Sequence, residues 1–190
     1  MTRASRIVIR RSDENRARGV LCNSGGCLIE GNRFYHNQHA ALHLQADAAW
    51  GEGFGARNVI VRNNLFESPN CCGAYAGAAV YVTADLYGSP SHYPLLESLL
   101  LDSNRFEEVT GPAIRATSFK DLVIRGNSFI NLEKPAIDLK MRGAICAELG
   151  TGLSVEGNTW TTQKDIASPG LFYDLDTTEK VSCRNNQLKN

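Results

Sequence analysis

A short pattern recurs six times along this chain and restricts its fold more than any other feature of the sequence. Each copy alternates apolar and polar residues and continues with Asn, one further residue and a large apolar side chain, as in CLIEGNRF and LSVEGNTW. The recurring asparagines are Asn32, Asn64, Asn104, Asn127, Asn158 and Asn186. Repetition at such intervals is typical of solenoids, in which each repeat buries its apolar face against its neighbours.

The intervals between the copies are unequal, and the inequality is informative. Asn104 and Asn127 are 23 residues apart, whereas Asn64 and Asn104 are 40 residues apart. A constant coil interrupted by loops explains this difference, because surface loops tolerate insertions that strands do not. The predicted insertions follow the same strand of their coils and lie near residues 46–56, 84–96 and 141–150.

Within each copy the apolar residues recur with a period of two, which indicates a β-strand. The residue two positions before each Asn alternates in sign through the series Glu30, Arg62, Asp102, Arg125, Glu156 and Arg184. In parallel strands about 4.8 Å apart, each charge would lie next to opposite charges, so we expect in-register stacking. The asparagines would then form an amide ladder at the turn. The large apolar residues would stack inside, in the order Phe34, Phe66, Phe106, Phe129, Trp160 and Leu188.

A second strand follows the Asn in most copies. It is predicted at residues 40–44, 78–82, 112–116 and 135–139, with a truncated first copy at 18–22. Its outward-facing residues form a predicted column of His43, Tyr81, Arg115 and Asp138. The neighbouring column contains only small residues, namely Gly19, Ala41, Ala79, Ala113 and Ala136. These two columns predict a groove with a small-residue floor beside the loop insertions.

Together these features predict an all-β fold, a right-handed parallel β-helix (solenoid) of about six coils with loop insertions on one side. We expect the right hand from the general preference of parallel crossover connections. A leucine-rich repeat is disfavoured because no helical periodicity separates the strands, and a β-sandwich would need more tight hairpin turns. In this interpretation residues 1–190 form a single domain that lacks upstream coils. Its open end would need a capping partner or the missing N-terminal half of a larger protein.

Composition argues against several classes of partner. The 20 Lys and Arg balance the 20 Asp and Glu, and no basic run occurs, so we expect no nucleic-acid partner. No apolar stretch is long enough for a transmembrane helix or for the core of a secretory signal, so we expect no membrane partner. The six cysteines show neither a CxxC motif nor a histidine at zinc-ligand spacing, so we predict no metal site and no cofactor. Their disulfide pairing stays open.

The first insertion carries the densest potential chemistry. Asp47 and Glu52 flank Trp50, and His43 precedes them. Two carboxyl groups can act as acid and base on a glycosidic bond, and the face of an indole suits the apolar face of a sugar ring. The alternative is a Gly-rich surface loop whose acids keep it soluble. Likewise, His43 is a candidate either for a sugar ligand or for a surface histidine on the sheet. Tyr81 is a candidate either for contact with the substrate or for packing sideways on His43.

Arg115 and Asp138 are further candidate ligands for a saccharide, because both belong to the outward column beside the loops. Their alternative interpretation is a cross-strand ion pair, since they occur one coil apart in the predicted register. The second insertion contains Asp85, Tyr87, His92 and Tyr93, whose spacing indicates only a polar loop.

The order of motifs in the first half resembles family 110 glycoside hydrolases. The matching stretches are ARGVL at 17–21, IEGNRFYH at 29–36, AALHLQADAAWGEG at 40–53 and VIVRNNLFES at 59–68. The resemblance implies the C-terminal part of a β-helix from bacterial inverting exo-α-1,3-galactosidases, which act on terminal galactose and are secreted or periplasmic. It implies site-wall roles for Arg18, Asp47, Trp50 and Glu52. The paired aspartates that the family pattern carries upstream are absent from this sequence.

Two functions therefore stay open. The first is an inverting glycoside hydrolase, or an inactive fragment of one, that recognises terminal α-1,3-linked galactosides. The second is a non-catalytic β-helix module for glycan binding or structural display. A pectate-lyase-like enzyme is disfavoured, because it needs a calcium site of clustered acids and the outward column offers only Asp138. Since nothing in the loop fixes the separation of Asp47 and Glu52, we predict that the isolated chain binds galactosides weakly without hydrolysing them.

Overall fold

The computed structural model describes residues 5–7, 10–69, 78–109, 111–130, 144–161 and 170–189. Within these ranges the chain forms strands joined by turns and contains no helix, and hence none long and apolar enough to cross a membrane. This all-β organisation confirms the sequence prediction, which rested on the period of two within each copy.

Successive strands of the chain contribute in turn to three sheets. The first strands are β1 (Ser5–Ile7), β2 (Arg11–Asp13), β3 (Val20–Cys22), β4 (Cys27–Glu30), β5 (Arg33–Tyr35), β6 (Leu42–Asp47), β7 (Arg57–Arg62), β8 (Leu65–Glu67), β9 (Val80–Leu86), β10 (Ser89–Pro90) and β11 (Leu96–Asp102). They are followed by β12 (Arg105–Glu107), β13 (Ile114–Thr117), β14 (Phe119–Arg125), β15 (Ser128–Ile130), β16 (Ile145–Glu148), β17 (Gly150–Glu156), β18 (Thr159–Thr161), β19 (Leu171–Tyr173), β20 (Thr178–Glu179), β21 (Ser182–Arg184) and β22 (Gln187–Lys189).

The three sheets run side by side along the molecule. Sheet 1 has the order β1-β4-β7-β11-β14-β17-β20, with β21 also on β17; sheet 2 has the order β3-β6-β9-β13-β16-β19; and sheet 3 has the order β2-β5-β8-β12-β15-β18-β22. Neighbours within a sheet are parallel, and the short hairpin of β9 and β10 is antiparallel. Since adjacent strands of a sheet come from successive copies of the repeat, the chain winds as a parallel β-helix.

The interior contains the predicted stack of aromatic rings. Phe34, Phe66, Phe106 and Phe129 follow one another with ring centroids 4.8–5.0 Å apart, and Trp160 follows Phe129 at 5.5 Å. Parallel pairing at the strand spacing places identical residues directly above one another, which sets these distances. The stack confirms the register that the sequence predicts, but Leu188, which pairs with Trp160, is 55% exposed and does not lie inside as predicted.

The asparagines form the predicted ladder inside the turn between sheets 1 and 3. Asn104 is representative: its backbone N–H and its side-chain amide both donate to Asn127 Oδ1, at 2.8 and 3.1 Å. The Asn104 side chain also donates to the Val61 carbonyl at 2.9 Å. Each buried amide therefore has partners in both neighbouring coils, which offsets the cost of removing it from water.

The charged column lies on the outside of sheet 1. Arg62 is paired in register with both Glu30 and Asp102, and Arg125 is paired with Asp102 and Glu156. Arg62 Nε donates to Glu30 Oε1 at 2.7 Å, and Arg125 Nη2 donates to Asp102 Oδ2 at 3.1 Å. The Arg125 hydrogen bond holds the pKa of Asp102 below its usual range.

The strand that pairs with β13 in the next coil is not the one that the sequence predicts. The strand beside β13 is β16, in which Cys146 lies next to Arg115, and the segment 135–139 with Asp138 falls outside the described residues. Only Leu149 separates β16 from β17, just as only Ser118 separates β13 from β14. Because both segments alternate small and apolar residues, the sequence pattern alone favours neither. Because β16 and β17 occupy Ile145–Glu148 and Gly150–Glu156, the predicted insertion at 141–150 is wrong from Ile145 onward.

Candidate functional site

The outward face of sheet 2 brings together polar residues from three successive coils. His43, Tyr81 and Arg115 lie side by side in register, as the sequence predicts. A second outward row was missed; it consists of Gln45, Thr83 and Thr117. Each of these residues comes two positions after a residue of the column, so the same period of two predicts that it faces outward. The row lies between the column and the loops.

The small residues do not form the floor of this face. Ala41, Ala79 and Ala113 are fully buried in the hydrophobic core, so the predicted small-residue floor is wrong. These residues precede their strands, at the bend from sheet 3 into sheet 2, where the alternation of the strand does not yet apply. Their size instead allows close packing between coils, because a Cβ on Gly19 would lie 2.5 Å from the Ala41 carbonyl oxygen.

His43 is a buried histidine rather than a surface one. It is only 5% exposed, and its ring stacks on Tyr81 with centroids 4.9 Å apart. Burial, and secondarily the positive charge of Arg18, lowers the pKa of His43 to about 3. The ring is therefore neutral at physiological pH, with one N–H donor and one acceptor nitrogen. Neither nitrogen has a hydrogen-bond partner among the described residues.

Arg115 continues the stack on the far side of Tyr81. Its guanidinium carbon lies 5.5 Å from the centre of the Tyr81 ring, and its Nη2 donates to Glu148 Oε1 at 3.0 Å. An acidic partner of Arg115 is thus Glu148 on β16, the neighbouring strand, whereas the predicted partner Asp138 lies outside the described residues. The same guanidinium therefore contacts both the Glu148 carboxylate and the Tyr81 ring.

Gln45 joins the column to the first loop. It is 2% exposed, and its Nε2 donates to Asp47 Oδ2 at 2.5 Å. Its Oε1 is buried without a hydrogen-bond partner among the described residues. A buried amide oxygen without a partner costs on the order of 1–3 kcal/mol, unless a ligand or water supplies the donor. Gln45 and His43 therefore present unmatched polar atoms on the same face of β6.

Asp47 closes the loop that contains Trp50 and Glu52. Its Oδ1 accepts hydrogen bonds from the backbone N–H groups of Ala49 and Trp50, at 2.9 and 3.1 Å. The backbones of Asp47 and Glu52 also pair in an antiparallel bridge. Both oxygens of the buried Asp47 carboxylate are thus engaged in holding the loop and Gln45, whereas Glu52 lies at the exposed surface.

Exposed aromatic side chains lie on the loops beside this face. Trp50 and Phe54 are 80% and 96% exposed on the loop that follows β6, and Tyr87 and Tyr93 are 81% and 78% exposed after β9. The two loops leave neighbouring strands, since Asp47 pairs in register with Asp85. Large exposed aromatic side chains at adjacent positions are typical of binding surfaces. Phe54 was overlooked in the sequence, although it lies within the same Gly-rich segment as Trp50.

Arg18, the other predicted wall residue, is exposed just before β3 and acts on the ring of His43 through its charge. A polar cavity of about 500 Å³ lies elsewhere, where sheet 3 turns towards sheet 2, and is lined by Glu14, Arg16, His36, Gln38 and Ser68. None of the predicted site residues lines this cavity. It therefore offers a concave surface against which the sheet 2 face can be tested.

Three curated proteins share sequence with this chain. Alpha-1,3-galactosidase B of Bacteroides thetaiotaomicron is 27% identical over 118 residues, which cover 60% of this chain and 19% of that protein. Alpha-1,3-galactosidases A from two strains of Bacteroides fragilis are each 26% identical and cover 58% and 70% of this chain. The chain spans about a fifth of the length of these relatives. The resemblance predicted from the sequence is thereby confirmed, while no model of a protein family matches the chain.

A solved structure shares the fold. PfbA, a surface adhesin of Streptococcus pneumoniae, aligns with a TM-score of 0.56 and 14% identity, over 94% of this chain and 57% of the PfbA chain. At that identity the similarity concerns the fold alone. It supports the stacked parallel arrangement of the sheets and carries no information about the ligand.

Proposed function

We propose that this chain is a segment of a right-handed β-helix that binds terminal galactosides on the outward face of sheet 2. The protein would be carbohydrate-active and would resemble the inverting α-1,3-galactosidases to which its sequence is similar. The observation that carries the proposal is the pair of buried polar side chains, His43 and Gln45, whose unpartnered atoms lie on the strand that leads to Trp50.

The available groups suit a sugar. Each hydroxyl of a saccharide is both a donor and an acceptor, so a sugar whose hydroxyls reach these shielded atoms would satisfy both the neutral imidazole and the Oε1 of Gln45. The exposed indole of Trp50 offers an apolar surface to the C–H face of the ring. Arg115, which contacts both Glu148 and Tyr81, places further N–H donors along the same column.

Hydrolysis by Asp47 and Glu52 is not supported by their surroundings. Inversion requires two carboxyl groups about 6.5–9.5 Å apart, one of which protonates the leaving group while the other activates water. Asp47 instead accepts hydrogen bonds at both oxygens from Gln45 and from its own loop. Asp47 therefore shapes the site, and we propose that the isolated chain binds galactosides without turning them over.

The second candidate function is a non-catalytic glycan-binding or structural module. The hydrogen bonds of Asp47 favour this function, because both oxygens of its carboxylate already hold Gln45 and the loop in place. The two candidates differ in what surrounds the chain: coils from the remaining length of a galactosidase would supply catalytic acids, whereas a binding module would need none. Adding such coils to the same polypeptide and assaying turnover separates them.

Binding is tested by calorimetric titration of the purified chain with α-1,3-galactobiose. Trp50→Ala and His43→Phe should each weaken binding at least several-fold; Phe keeps an aromatic ring against Tyr81 but removes both nitrogens. The matched control is His36→Phe, which alters a histidine of the other cavity. If His36→Phe abolishes binding while His43→Phe and Trp50→Ala leave it intact, the ligand occupies the other cavity and the proposal is wrong.

Turnover is tested separately with p-nitrophenyl α-galactoside and with α-1,3-galactobiose. We expect no rate above that of heat-inactivated protein. A measured rate that disappears in Asp47→Asn or in Glu52→Gln would contradict the assignment of Asp47 to architecture. It would show that the loop by itself is a catalytic site.

A further inference from the structure

Two buried cysteines flank the turn that joins β3 in sheet 2 to β4 in sheet 1. Cys22 is 3% exposed and Cys27 is 5% exposed. The Sγ atoms of Cys22 and Cys27 lie 3.6 and 3.7 Å from the same atom, the carbonyl oxygen of Ser24. Both side chains therefore point into the same turn, and their sulfur atoms lie no farther apart than the sum of these two distances.

The surroundings of Cys22 keep its thiol protonated. Burial raises the pKa of Cys22 to about 11, and the neighbouring Cys27 thiol adds to the rise. The residues between them are Asn23, Ser24, Gly25 and Gly26, and two consecutive glycines let the turn adjust as the sulfur atoms approach.

We propose that Cys22 and Cys27 form a disulfide bond when the chain meets a disulfide oxidant, and that this bond closes the turn between sheets 2 and 1. One cysteine, as its thiolate, attacks a small-molecule disulfide and displaces one thiolate from it. The second cysteine then attacks the first Sγ, forms the Sγ–Sγ bond and displaces the other thiolate. Two protons leave the cysteines and two thiols of the oxidant are produced, so the protein is oxidised by two electrons and the oxidant is reduced by two.

The turn supports the loop of the candidate sugar site, which gives the bond a consequence. A Cβ on Gly53, in the loop with Trp50, would lie 2.5 Å from the Asn23 carbonyl oxygen, so the two segments are in close contact. Gly26 N–H also donates to the Arg57 carbonyl at 2.8 Å, at the end of that loop. A disulfide that restrains the turn would therefore also restrain the loop that contacts it, whatever ligand the loop binds.

The chain offers a direct assay. Trypsin cleaves after Arg18 and Arg33 and releases residues 19–33, which contain Cys22 and Cys27 and no other cysteine. The folded protein is incubated with oxidised glutathione, unfolded, alkylated with iodoacetamide, digested and analysed by mass spectrometry. We expect the 19–33 peptide to be lighter than the dithiol form by two hydrogen atoms and to carry no alkyl group. A reduced sample should give the doubly alkylated peptide.

The peptide with exposed Cys183, residues 181–184, serves as the internal control, because it has a single cysteine that the oxidant can reach. The proposal is wrong if Cys183 carries glutathione while Cys22 and Cys27 are both alkylated, because they were then still free thiols. It is also wrong if Cys22 and Cys27 each carry glutathione. Oxidation should also raise the melting temperature by about 5 °C, and this rise should be absent in Cys27→Ala. A disulfide without any such rise would contradict the claim that the bond fixes the turn.

Discussion

The imidazole of His43 stacks on the ring of Tyr81 with an inclination of 18° and is shielded from solvent. Because burial lowers its pKa from 6.5 to about 3, the unfolded chain binds a proton between these values that the folded chain does not. Acid should therefore favour unfolding through this residue: its contribution is absent above about pH 6.5 and grows as the pH falls towards 3.

The variant His43→Phe should remove this acid sensitivity while keeping an aromatic ring against Tyr81. At pH 4 the free energy of unfolding of the wild type should have fallen, relative to its value at pH 7.5, by roughly 2–4 kcal/mol more than that of the variant. Urea unfolding at several pH values measures the difference. Parallel curves for the two proteins would show that His43 is protonated as readily in the folded chain as in the unfolded one.

The asparagine ladder predicts a large effect of a very small change. The buried side-chain amide of Asn104 donates hydrogen bonds to Val61 and Asn127. Asn104→Asp replaces this amide with a carboxyl group, which cannot donate a hydrogen bond when it is ionised. We expect a loss of about 3 kcal/mol or more in the free energy of unfolding. Asn63→Asp is the matched control, because Asn63 is exposed and its φ of 54° suits Asp as well as Asn. Equal losses in the two variants, measured by urea unfolding, would contradict a structural role of the ladder.

The charged column on sheet 1 predicts a salt-dependent effect. Arg62→Glu places a carboxylate between Glu30 and Asp102 and should destabilise the chain by roughly 1–2 kcal/mol at low salt. The loss should shrink at high salt, and Arg62→Gln should cost less, because it removes attraction without adding repulsion. Thermal unfolding at two salt concentrations measures both variants. A neutral result for Arg62→Glu at low salt would mean that these side chains do not interact.

Two glycines of the first loop allow a test of its support. Gly51 and Gly53 both have positive φ, at 64° and 68°, so alanine is strained at either position. A Cβ on Gly53 would also collide with Asn23, whereas a Cβ on Gly51 meets nothing within 4 Å. Gly53→Ala should therefore weaken galactoside binding several-fold more than Gly51→Ala. Similar affinities of the two variants in calorimetry would show that contact with the 22–27 turn does not position Trp50.

Much of the fold could be predicted from sequence because parallel stacking repeats each chemical environment from coil to coil. Phe66 lies between Phe34 and Phe106, so the same residue type is favoured at the same place in each copy. Where two segments show the same alternation of residues, the pattern does not predict which of them forms the strand. The choice between 135–139 and β16 depended on the single-residue link from β16 to β17, which is a property of the backbone path.

The candidate site was only partly predictable for a related reason. The period of two places His43, Tyr81 and Arg115 on one face, but it does not show how deeply each is buried or which partner each finds. The sequence therefore left His43 open as a surface histidine and offered an ion pair with Asp138 as one of two interpretations of Arg115. The role of Asp47 depends on hydrogen bonds to Gln45 and to the backbone of Ala49, which no spacing of acids reveals.

The alternation of charge along sheet 1 also bears on how such a chain can gain or lose coils. Deleting the single coil that carries Arg62 would bring Glu30 beside Asp102, whereas deleting two successive coils would bring Glu30 beside Arg125. Opposite neighbours thus survive changes by an even number of coils and are lost in changes by an odd number. The electrostatics of this column therefore favour adding or removing coils in pairs, although the aromatic stack repeats with every coil.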